Sequence, residues 1–251
     1  MTANKETIRR ISTTDLHNAS AKRAYNRRLF EEVAPQYARI TRLMSFGRDQ
    51  TWKKQLINML PDAEAPTCLD LACGTGDITL ALHERFPEAP IKAVDLSEDM
   101  LKICRSRCDR IPNIEVLCED MNAIPAPDHT FDFITGGYAI RNSPDLKRTL
   151  REIRRLLKPG GTAAFLDFSR SKSKVLQHLQ LGLLSFWGKL WGRLLHRNPH
   201  IYGYIAESLK SFPSRGELDT RCKEAGLVIL KRKLLFFGFI EMIFLEQSNR
   251  A

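Results

Sequence analysis

An α/β fold with a mostly parallel, doubly wound sheet is predicted from three features of this 251-residue sequence. From residue 67 onward, short apolar runs alternate with longer helix-like stretches, which is the order that strand–helix–strand units produce. A glycine-rich turn follows the first apolar run. Two apolar runs close the chain, and an antiparallel pair at the edge of a parallel sheet is a common ending for such folds.

Seven apolar runs have the length of strands. They span Thr67–Leu71, Ile91–Leu96, Ile114–Cys118, Phe131–Thr135, Thr162–Phe168, Leu227–Leu234 and Phe239–Leu245. Helical spacing between them predicts helices over Ile78–Arg85, Ser97–Arg107 and Leu146–Leu157. The expected sheet is therefore seven-stranded and mostly parallel, with an antiparallel edge strand.

The flanking segments predict the domain organisation. Residues 1–24 are polar and lack a clear period, so we expect a mobile arm, whereas residues 25–60 have a helical pattern with turns near Pro35 and Gly47. We therefore divide the chain into an N-terminal arm with helices, 1–60, and a main α/β domain, 61–251. The strand–helix alternation stops after Ser169, and an inserted helical lid is predicted at about 172–212.

The first part of the lid has apolar residues at helical spacing, including Trp187 and Trp191. Three interpretations stay open: a buried packing helix, the wall of an apolar tunnel, or a helix lying at a membrane interface. Basic side chains that would attract anionic lipid are Lys172, Lys174, Lys189, Arg193 and Arg197.

The net charge of +10 is unevenly distributed. Residues 61–144 carry 7 Lys and Arg against 15 Asp and Glu, while both flanks are basic. An acidic centre suits a cationic ligand, and basic flanks suit an anionic partner such as a phospholipid surface, although a solvated basic face needs no partner. Because the basic residues do not form one uniform patch, we expect no nucleic acid.

Cysteine usage and the N-terminus predict the compartment. The six cysteines show no C-x-x-C spacing and no clustered histidines, which predicts reduced thiols and no metal. The first residues lack the apolar core of a secretory signal, and no apolar run reaches the length of a membrane span. The chain is thus expected to be cytoplasmic, with the inner face of the membrane as a second location.

The glycine turn lies in LDLACGTGD, residues 69–77. The small residues Ala72, Gly74 and Gly76 permit a tight turn and close backbone approach to a ligand. The dinucleotide pattern G-x-G-x-x-G fails, because Thr79 stands where the third glycine belongs. Asp77, in the first helical turn, would repel a pyrophosphate, so a ligand with positive charge fits better. The alternative is a glycine turn without a ligand.

Two further acidic residues follow predicted strands. Asp95 lies 21 residues after Gly74, where a carboxylate can accept hydrogen bonds from both ribose hydroxyls. Its alternative role is a helix N-cap, although Ser97 or Asp99 already meets that need. Asp120 could accept from an adenine amino group while Met121 packs on the ring. With the Pro-Gly-Gly turn after the third predicted helix, these features form an ordered set typical of a nucleoside site.

Five further segments carry a family resemblance. They are FEEVAPQY at 30–37, RLMSFG at 42–47, Trp52-Lys53, AIRNSPD at 139–145 and YIAESLKSFP at 204–213. With the glycine turn, they make the chain resemble class I S-adenosylmethionine-dependent methyltransferases, and within these the quinone C-methyltransferases of menaquinone and ubiquinone biosynthesis, over about residues 25–247. The resemblance implies a Rossmann-like fold, S-adenosyl-L-methionine as methyl donor, no metal, and methyl transfer to a ring carbon of a prenylated, demethylmenaquinol-like quinol.

The resemblance also implies where the donor lies. The expected donor-binding residues are Gly74, Thr75, Gly76, Asp95, Asp120, Met121 and Gly137. The chain departs from the family pattern at Asp120 and Gly137, where Asn and Ser are usual. It departs again at Tyr138-Ala139, where Phe-Gly is usual, and after Tyr37, where the usual Asp and Asn are missing.

Arg141 is the catalytic candidate. If the acceptor is a hydroquinone, loss of a phenolic proton makes its ring electron-rich, and we expect Arg141 to stabilise the phenolate. A guanidinium is too basic to take the proton itself. We expect Tyr138 or Asn142 to orient the ring and Tyr202 to line the acceptor pocket. The alternatives are an ion pair between Arg141 and Asp145, and core packing for Tyr202.

Three other functions stay open at this point. The departures from the family pattern are compatible with a methyltransferase for another apolar small molecule, such as a secondary metabolite. The basic composition admits an RNA-modifying or RNA-binding protein, although no aromatic-basic interleaving is present. A non-catalytic protein that binds the donor is the third alternative. A homodimer is compatible with the sequence, which does not define the oligomeric state.

Overall fold

The computed structural model describes residue 8 and residues 10–248, and seven of its segments form one sheet in the order β3-β2-β1-β4-β5-β7-β6. The strands are β1 Cys68–Leu71, β2 Ile91–Asp95, β3 Ile114–Cys118, β4 Phe131–Gly137, β5 Leu157–Phe168, β6 Leu227–Leu235 and β7 Ile240–Gln247. Strands β1 to β5 are parallel, and β7 runs antiparallel to both of its neighbours, β5 and β6. The seven-stranded, mostly parallel sheet is thereby confirmed, and its antiparallel strand lies beside the edge strand β6.

Ten α-helices are described. They are α1 Thr13–His17, α2 Ala19–Val33, α3 Tyr37–Met44, α4 Asp49–Asn58, α5 Asp77–Arg85, α6 Glu98–Cys108, α7 Leu146–Leu156, α8 Lys174–His196, α9 His200–Ser211 and α10 Arg215–Glu224. The strand order reverses between β1 and β4, which leaves a crevice at the carboxyl ends of these strands. The glycine turn after β1 and the residues that follow β4 meet there.

Strand β5 is longer than predicted. It begins at Leu157, and its ladder with β4 continues past the Pro-Gly-Gly segment through an irregular register between Phe131 and Phe133. Gly160 has φ of +77°, so the chain bends at this point without leaving the sheet. The predicted turn is therefore part of an irregular strand.

The predicted mobile arm over residues 1–24 is wrong for residues 13–17 and 19–24, which lie in α1 and α2; residues 1–7 and 9 are outside the described part of the chain. The buried stripe of α2 consists of Lys22, Asn26, Leu29 and Val33. These positions have helical spacing, but two of them are polar, so the hydrophobic period that marks a helix is weak.

The lid consists of two packed helices, α8 and α9. Two glycines that weaken α8 as an isolated helix permit this packing, because a Cβ at Gly188 or Gly192 would collide with the carbonyl oxygen of Tyr202 or Asn198. The opposite face of α8 keeps large apolar side chains in solvent, with Val175 79% exposed and Phe186 67% exposed. Among the described residues, no helix has the length and apolar character needed to cross a membrane.

Strand β1 places a carboxylate in the core beneath the glycine turn. Asp70 is fully buried; Thr79 donates a hydrogen bond of 2.7 Å to its Oδ2, and Thr135 donates one of 3.3 Å to its Oδ1. Burial outweighs these bonds and raises the pKa of Asp70 from 3.8 to about 7. Between these pH values the folded chain binds more protons at this site than the unfolded chain does.

This carboxylate makes stability pH-dependent. Because the folded-state pKa is raised, the contribution of Asp70 to the free energy of unfolding falls as pH rises from about 4 to about 7, by at most about 4 kcal/mol. We expect Asp70→Asn to remove this fall, measured by urea unfolding from pH 5 to pH 8.5. Asp62→Asn, at a fully exposed side chain, is the control. Parallel pH profiles for wild type and Asp70→Asn would contradict the assignment.

Candidate active site

The glycine turn between β1 and α5 is built from backbone that few residues adopt. Ala72, Gly74 and Gly76 have φ of +51°, +55° and +85°. A Cβ at Gly76 would lie 2.7 Å from the Sγ of Cys104, so this position requires glycine both for its conformation and for its space. A Cβ at Gly74 would meet nothing within 4 Å, so this part of the turn borders open space in which a ligand can approach the backbone.

Asp95 joins the turn to the end of β2. Its Oδ2 accepts a hydrogen bond of 3.0 Å from the backbone N–H of Gly74, and its Oδ1 accepts one of 2.8 Å from that of Ser97. Each oxygen keeps a further lone pair for a ligand hydroxyl. Burial raises the pKa of Asp95. The N-cap of α6 is Ser97, whose side chain accepts from Met100, so the side-chain cap is not supplied by Asp95.

A small cavity of about 60 Å³ opens beside this turn. Of the predicted donor-binding residues, Gly74, Asp95, Met121 and Gly137 line it, and Thr75, Gly76 and Asp120 do not. We call this space the donor cavity. Helix α2 supplies much of its opposite wall through Arg23, Asn26, Arg27 and Phe30.

Asp120 is engaged by other side chains. Its Oδ2 forms an ion pair with Arg23, and its Oδ1 accepts hydrogen bonds from the backbone and side-chain N–H groups of Asn122 at 2.9 and 3.0 Å. The carboxylate thus holds α2 against the loop after β3. The expected contact of Asp120 with an adenine amino group stays a prediction and would have to compete with these partners.

Asp77 does not present a free negative charge to a ligand. Lys53 Nζ lies 2.9 Å from its Oδ2, and Arg107 Nη1 lies 2.7 Å from its Oδ1. These two cations lower the pKa of Asp77 despite its burial. The acidic residues that line the donor cavity are Asp95 and Glu119, and Asp77 does not line it, so the expectation that Asp77 favours a positive ligand is not supported.

The donor cavity has features that fit a nucleoside with a positively charged sulfur. The buried Oδ1 of Asn142, which lines the cavity, has no hydrogen-bond partner among the described residues. Buried polar atoms without partners are uncommon in folded proteins, and ligands often satisfy them. Together with Asp95 and the open side of the turn at Gly74, this amide oxygen provides acceptors for such a ligand.

A second cavity, of about 470 Å³, lies between the N-terminal helices, the lid and the β6–β7 connection, and we call it the acceptor cavity. Its lining is mainly aromatic and aliphatic. The apolar lining residues include Leu29, Val33, Ile40, Met44, Phe46, Trp52, Phe168, Leu183, Leu184, Phe186, Trp187, Ile201, Phe236, Phe237 and Phe239. The four residues predicted for catalysis and acceptor binding, Tyr138, Arg141, Asn142 and Tyr202, all line it.

The two cavities share a wall formed by Phe30, Tyr37, Tyr138 and Asn142. Residues on this wall can contact ligands in both spaces, so a group passing from one ligand to the other must cross here. Tyr138 has φ of +58°, a conformation that is rare for a residue with a bulky side chain. Its hydroxyl donates a hydrogen bond of 2.9 Å to Oδ1 of the buried Asp49. Burial and the Asp49 carboxylate raise the pKa of Tyr138.

Arg141 is 4% exposed and is held by Asp167 at the end of β5. Its backbone N–H donates to Asp167 Oδ2 at 2.9 Å, its Nε lies 3.3 Å from Asp167 Oδ1, and its Nη1 donates to Ser208. The alternative ion pair with Asp145 is wrong, because Asp145 is the N-cap of α7. Arg141 is therefore a buried, oriented cation in the wall of the acceptor cavity.

The loop between β4 and α7, residues 138–145, is held by residues of α2 that the sequence did not predict. Lys22 Nζ donates to the carbonyl oxygens of Arg141 and Ser143 at 3.0 and 2.6 Å, and Asn26 Nδ2 donates to that of Asn142 at 2.7 Å. The sequence signal that could have revealed Lys22 and Asn26 is their spacing of four residues. This spacing places them on the same helix face as the apolar residues Leu29 and Val33. A buried lysine is expected only where it has partners, and carbonyl oxygens of the loop provide them.

Comparison with known proteins identifies relatives that are named as methyltransferases. The ubiE/COQ5 methyltransferase family model matches residues 18–244. The demethylmenaquinone methyltransferase of Geobacillus kaustophilus is 31% identical over 230 residues, covering 90% of this chain and 97% of the relative. The 2-phytyl-1,4-naphtoquinone methyltransferase of Thermosynechococcus vestitus is 37% identical over 213 residues, covering 84% and 94%.

A solved structure supports the fold. The crystal structure of a SAM-dependent methyltransferase from Aquifex aeolicus superposes with a TM-score of 0.60 at 18% identity, covering 84% of this chain and 98% of that one. At this identity the similarity concerns the fold alone. The family match spans helices α2 to α10, the residues that line both cavities and nearly all of the sheet. The chain therefore belongs to the ubiE/COQ5 methyltransferase family and is an S-adenosylmethionine-dependent methyltransferase.

Proposed function

We propose that this protein transfers the methyl group of S-adenosyl-L-methionine to a ring carbon of a prenylated quinol of the demethylmenaquinol type. The observation that carries the proposal is the apolar acceptor cavity of about 470 Å³, which shares a wall with the donor cavity. An aromatic and aliphatic lining suits a fused ring with an isoprenoid tail. The relatives named for demethylmenaquinone and phytyl-naphthoquinone methylation support the same acceptor class.

The donor supplies an electrophilic methyl group on a positively charged sulfur. The chain contributes positioning and exclusion of water, which are the main sources of rate in a direct displacement. Asp95 and the turn at Gly74 would hold the ribose and Met121 the base, while Gly137 borders the same space. Tyr138 and Asn142, on the shared wall, would orient the acceptor ring.

Arg141 would stabilise negative charge on the acceptor oxygen. Its guanidinium is buried and already oriented by Asp167 and Ser208, so little reorganisation is needed as charge develops. In an apolar cavity such a fixed cation acts more strongly than in water. Tyr202, on α9, would form part of the wall that holds the ring or its tail.

A labelled methyl-transfer assay tests this function. We expect incorporation into demethylmenaquinol and little incorporation into unprenylated naphthols, because the tail provides most of the apolar contact area. Transfer to the hydroxyl oxygen and transfer to the ring carbon are separated by mass spectrometry and NMR of the product. Robust methylation of a different apolar phenol, with none of the quinol, would overturn this acceptor and favour the secondary-metabolite alternative.

We further propose that the enzyme works at the inner, cytoplasmic surface of an anionic membrane, where a prenylated quinol resides. Several residues of the acceptor cavity are exposed and mark its open side, among them Phe46, Phe186 and Phe237, the last 97% exposed. The outer face of α8 adds Val175 and Leu179. A helix with an exposed apolar face and basic neighbours is typical of interfacial binding.

Sedimentation with vesicles tests the membrane surface. We expect wild type to bind anionic vesicles better than neutral ones, and less at high salt, because basic side chains contribute to the attraction. Phe186→Ser combined with Phe237→Ser should weaken binding by about tenfold or more, since two apolar rings no longer enter the interface. Val228→Ser, at an exposed residue of β6, is the control. Failure of wild type to bind either vesicle would refute this proposal.

A further inference from the structure

We propose that Tyr138 and Asp49 together accept the proton of the acceptor hydroxyl, with Tyr138 as the catalytic residue that touches the acceptor and Asp49 as the final proton acceptor. The proposal rests on the proposed function, since it concerns how a quinol is activated for methylation at carbon. It assigns the proton acceptor that Arg141 cannot provide, because a guanidinium stays protonated.

The acceptor cavity itself offers no ordinary base. Of the described residues that line it, none is aspartate, glutamate or histidine. Its ionisable and hydroxylic side chains are those of Tyr37, Thr41, Ser45, Tyr138, Arg141, Tyr202 and Tyr204. A lining hydroxyl group that is hydrogen-bonded to a base behind the wall could carry the proton of a bound hydroxyl to that base.

Tyr138 has the position that this transfer requires. It belongs to the wall shared by both cavities, where the ring receiving the methyl group must lie. Its left-handed backbone conformation is held by two hydrogen bonds, one of 2.6 Å from its N–H to the carbonyl of Leu166 and one of 2.8 Å from Asn142 Nδ2 to its own carbonyl. Such backbone strain is found where a side chain must be aimed for function. The hydroxyl is aimed at Asp49.

The other tyrosines are less suited. The hydroxyl of Tyr204 donates to the amide oxygen of Asn26, which is not a base. Tyr202 is hydrogen-bonded to His196 at 2.8 Å, but Tyr202 lines only the acceptor cavity and stands away from the shared wall. Tyr37 also lies on the shared wall, but of these two tyrosines it is Tyr138 whose hydroxyl donates to a carboxylate in the described part of the chain. Tyr138 combines the shared wall with a carboxylate partner.

Asp49 connects to a buried charge network that extends toward solvent. Lys53 Nζ lies 2.6 Å from Asp49 Oδ2 and 2.9 Å from Asp77 Oδ2, and Asp77 pairs with Arg107, whose side chain is 37% exposed. The titratable and charged groups that face the Tyr138–Asp49 pair from the surrounding elements are Tyr37, Lys53, Asp77, Arg107 and Asp167. The network keeps Asp49 in place beside the Tyr138 hydroxyl.

The relay moves one proton from the acceptor hydroxyl through Tyr138 to Asp49. The acceptor O–H bond breaks, its proton goes to the Tyr138 oxygen, and the proton of Tyr138 goes to Asp49, while the electron pair stays on the acceptor oxygen. The ring carbon then forms a bond to the methyl group as the sulfur–methyl bond breaks, and the sulfur keeps that electron pair and becomes neutral. The proton on the methylated carbon then passes to the acceptor oxygen, which restores the quinol. The proton held by Asp49 is released to solvent, so one proton is released overall.

This relay lets Tyr138 act without becoming a free tyrosinate. Burial and Asp49 raise the pKa of Tyr138, so a stable tyrosinate is unfavourable near neutral pH. A hydroxyl that gains one proton as it passes another on stays neutral throughout. General-base assistance of this kind contributes typically about 10²–10⁴-fold in rate.

The test is the pH dependence of single-turnover methylation of demethylmenaquinol between pH 6 and pH 9. We expect a nearly flat profile for wild type. Tyr138→Phe should react about 10²-fold more slowly at pH 7 and gain about tenfold per pH unit, because hydroxide must then remove the proton. Asp49→Asn should show the same slope. An acceptor analogue with a more acidic hydroxyl should recover most of the loss in Tyr138→Phe, since it needs no base.

Tyr25→Phe is the matched control, because its buried hydroxyl has no hydrogen-bond partner within residues 10–248 and Tyr25 does not line either cavity. Calorimetry with the donor and thermal melts establish that each variant is folded. A flat profile with the wild-type rate in Tyr138→Phe would overturn the pair and leave the proposed function standing, as would the steep profile appearing in Tyr37→Phe or Tyr202→Phe instead. Absence of methylated quinol with wild type would overturn both.

Discussion

Arg141→Ala is expected to lower the turnover number by about 10²–10³-fold while changing the dissociation constant of the methyl donor by less than about twofold. The guanidinium lies in the wall of the acceptor cavity, and it is absent from the lining of the donor cavity. In the proposed function, a buried cation fixed by Asp167 would stabilise negative charge on the acceptor oxygen, and it should have no comparable effect on donor binding. The variant should therefore lose turnover while it keeps its affinity for the donor.

The structure defines how this experiment must be controlled. Removing Arg141 alone leaves Asp167 buried without its cation, which costs roughly 3–5 kcal/mol of stability in typical buried pairs. The informative comparison is Arg141→Ala/Asp167→Asn against both single variants, because each single variant leaves one member of this pair buried without the other and the double variant does not. Arg105→Ala, which removes a surface arginine paired with Glu98, controls for the loss of one positive charge.

Turnover is measured by single-turnover kinetics, and donor affinity is measured by calorimetry. If the double variant and Asp167→Asn turn over equally, Arg141 holds the loop and does not act on the acceptor. Equal losses of turnover and donor affinity would also count against the role. Recovery of turnover by Arg141→Lys would be partial at most, because an ammonium cannot reproduce the geometry of the guanidinium with both Asp167 and Ser208.

The sheet could be predicted because each strand is marked by residues that lie close together in the sequence. Runs such as Ile91–Leu96 and Phe131–Thr135 are short, apolar and bounded by turn residues, so their alternation with helices indicates both the strand count and the parallel core. The carboxyl ends of parallel strands meet at one edge of a sheet, and this rule also indicated the crevice that contains Gly74 and Asp95. A hydrogen bond of 3.0 Å joins these two residues. These features depend on neighbours in sequence or on strands of one sheet.

Contacts between distant segments were not predictable in this way. Helix α2 buries Lys22 and Asn26 against carbonyl groups more than a hundred residues away, and a polar stripe gives no hydrophobic period. Asp49 meets Tyr138 across 89 positions. The departure from Phe to Tyr at 138 marked a changed residue, but only the fold shows which carboxylate its hydroxyl contacts.

Asp95 is the residue whose replacement should most affect donor binding. We expect Asp95→Asn to raise the dissociation constant of S-adenosyl-L-methionine by about 100-fold, because a carboxylate that accepts from both ribose hydroxyls loses two charge-assisted bonds worth roughly 1.5–3 kcal/mol each, and the amide recovers part of that. Asp95→Ala should weaken binding further, since the turn also loses its acceptors for Gly74 and Ser97.

The pH dependence of donor affinity gives this prediction a second readout. Burial raises the pKa of Asp95, and only the ionised form offers two acceptors, so wild-type affinity should fall as pH is lowered through that pKa. Asp95→Asn should lose this dependence. Asp120→Asn is the matched comparison at the next strand end, and it should weaken binding less because Arg23 and Asn122 already engage that carboxylate. Unchanged calorimetric heat and thermal shift in Asp95→Ala would mean that the crevice beside the glycine turn does not hold the nucleoside.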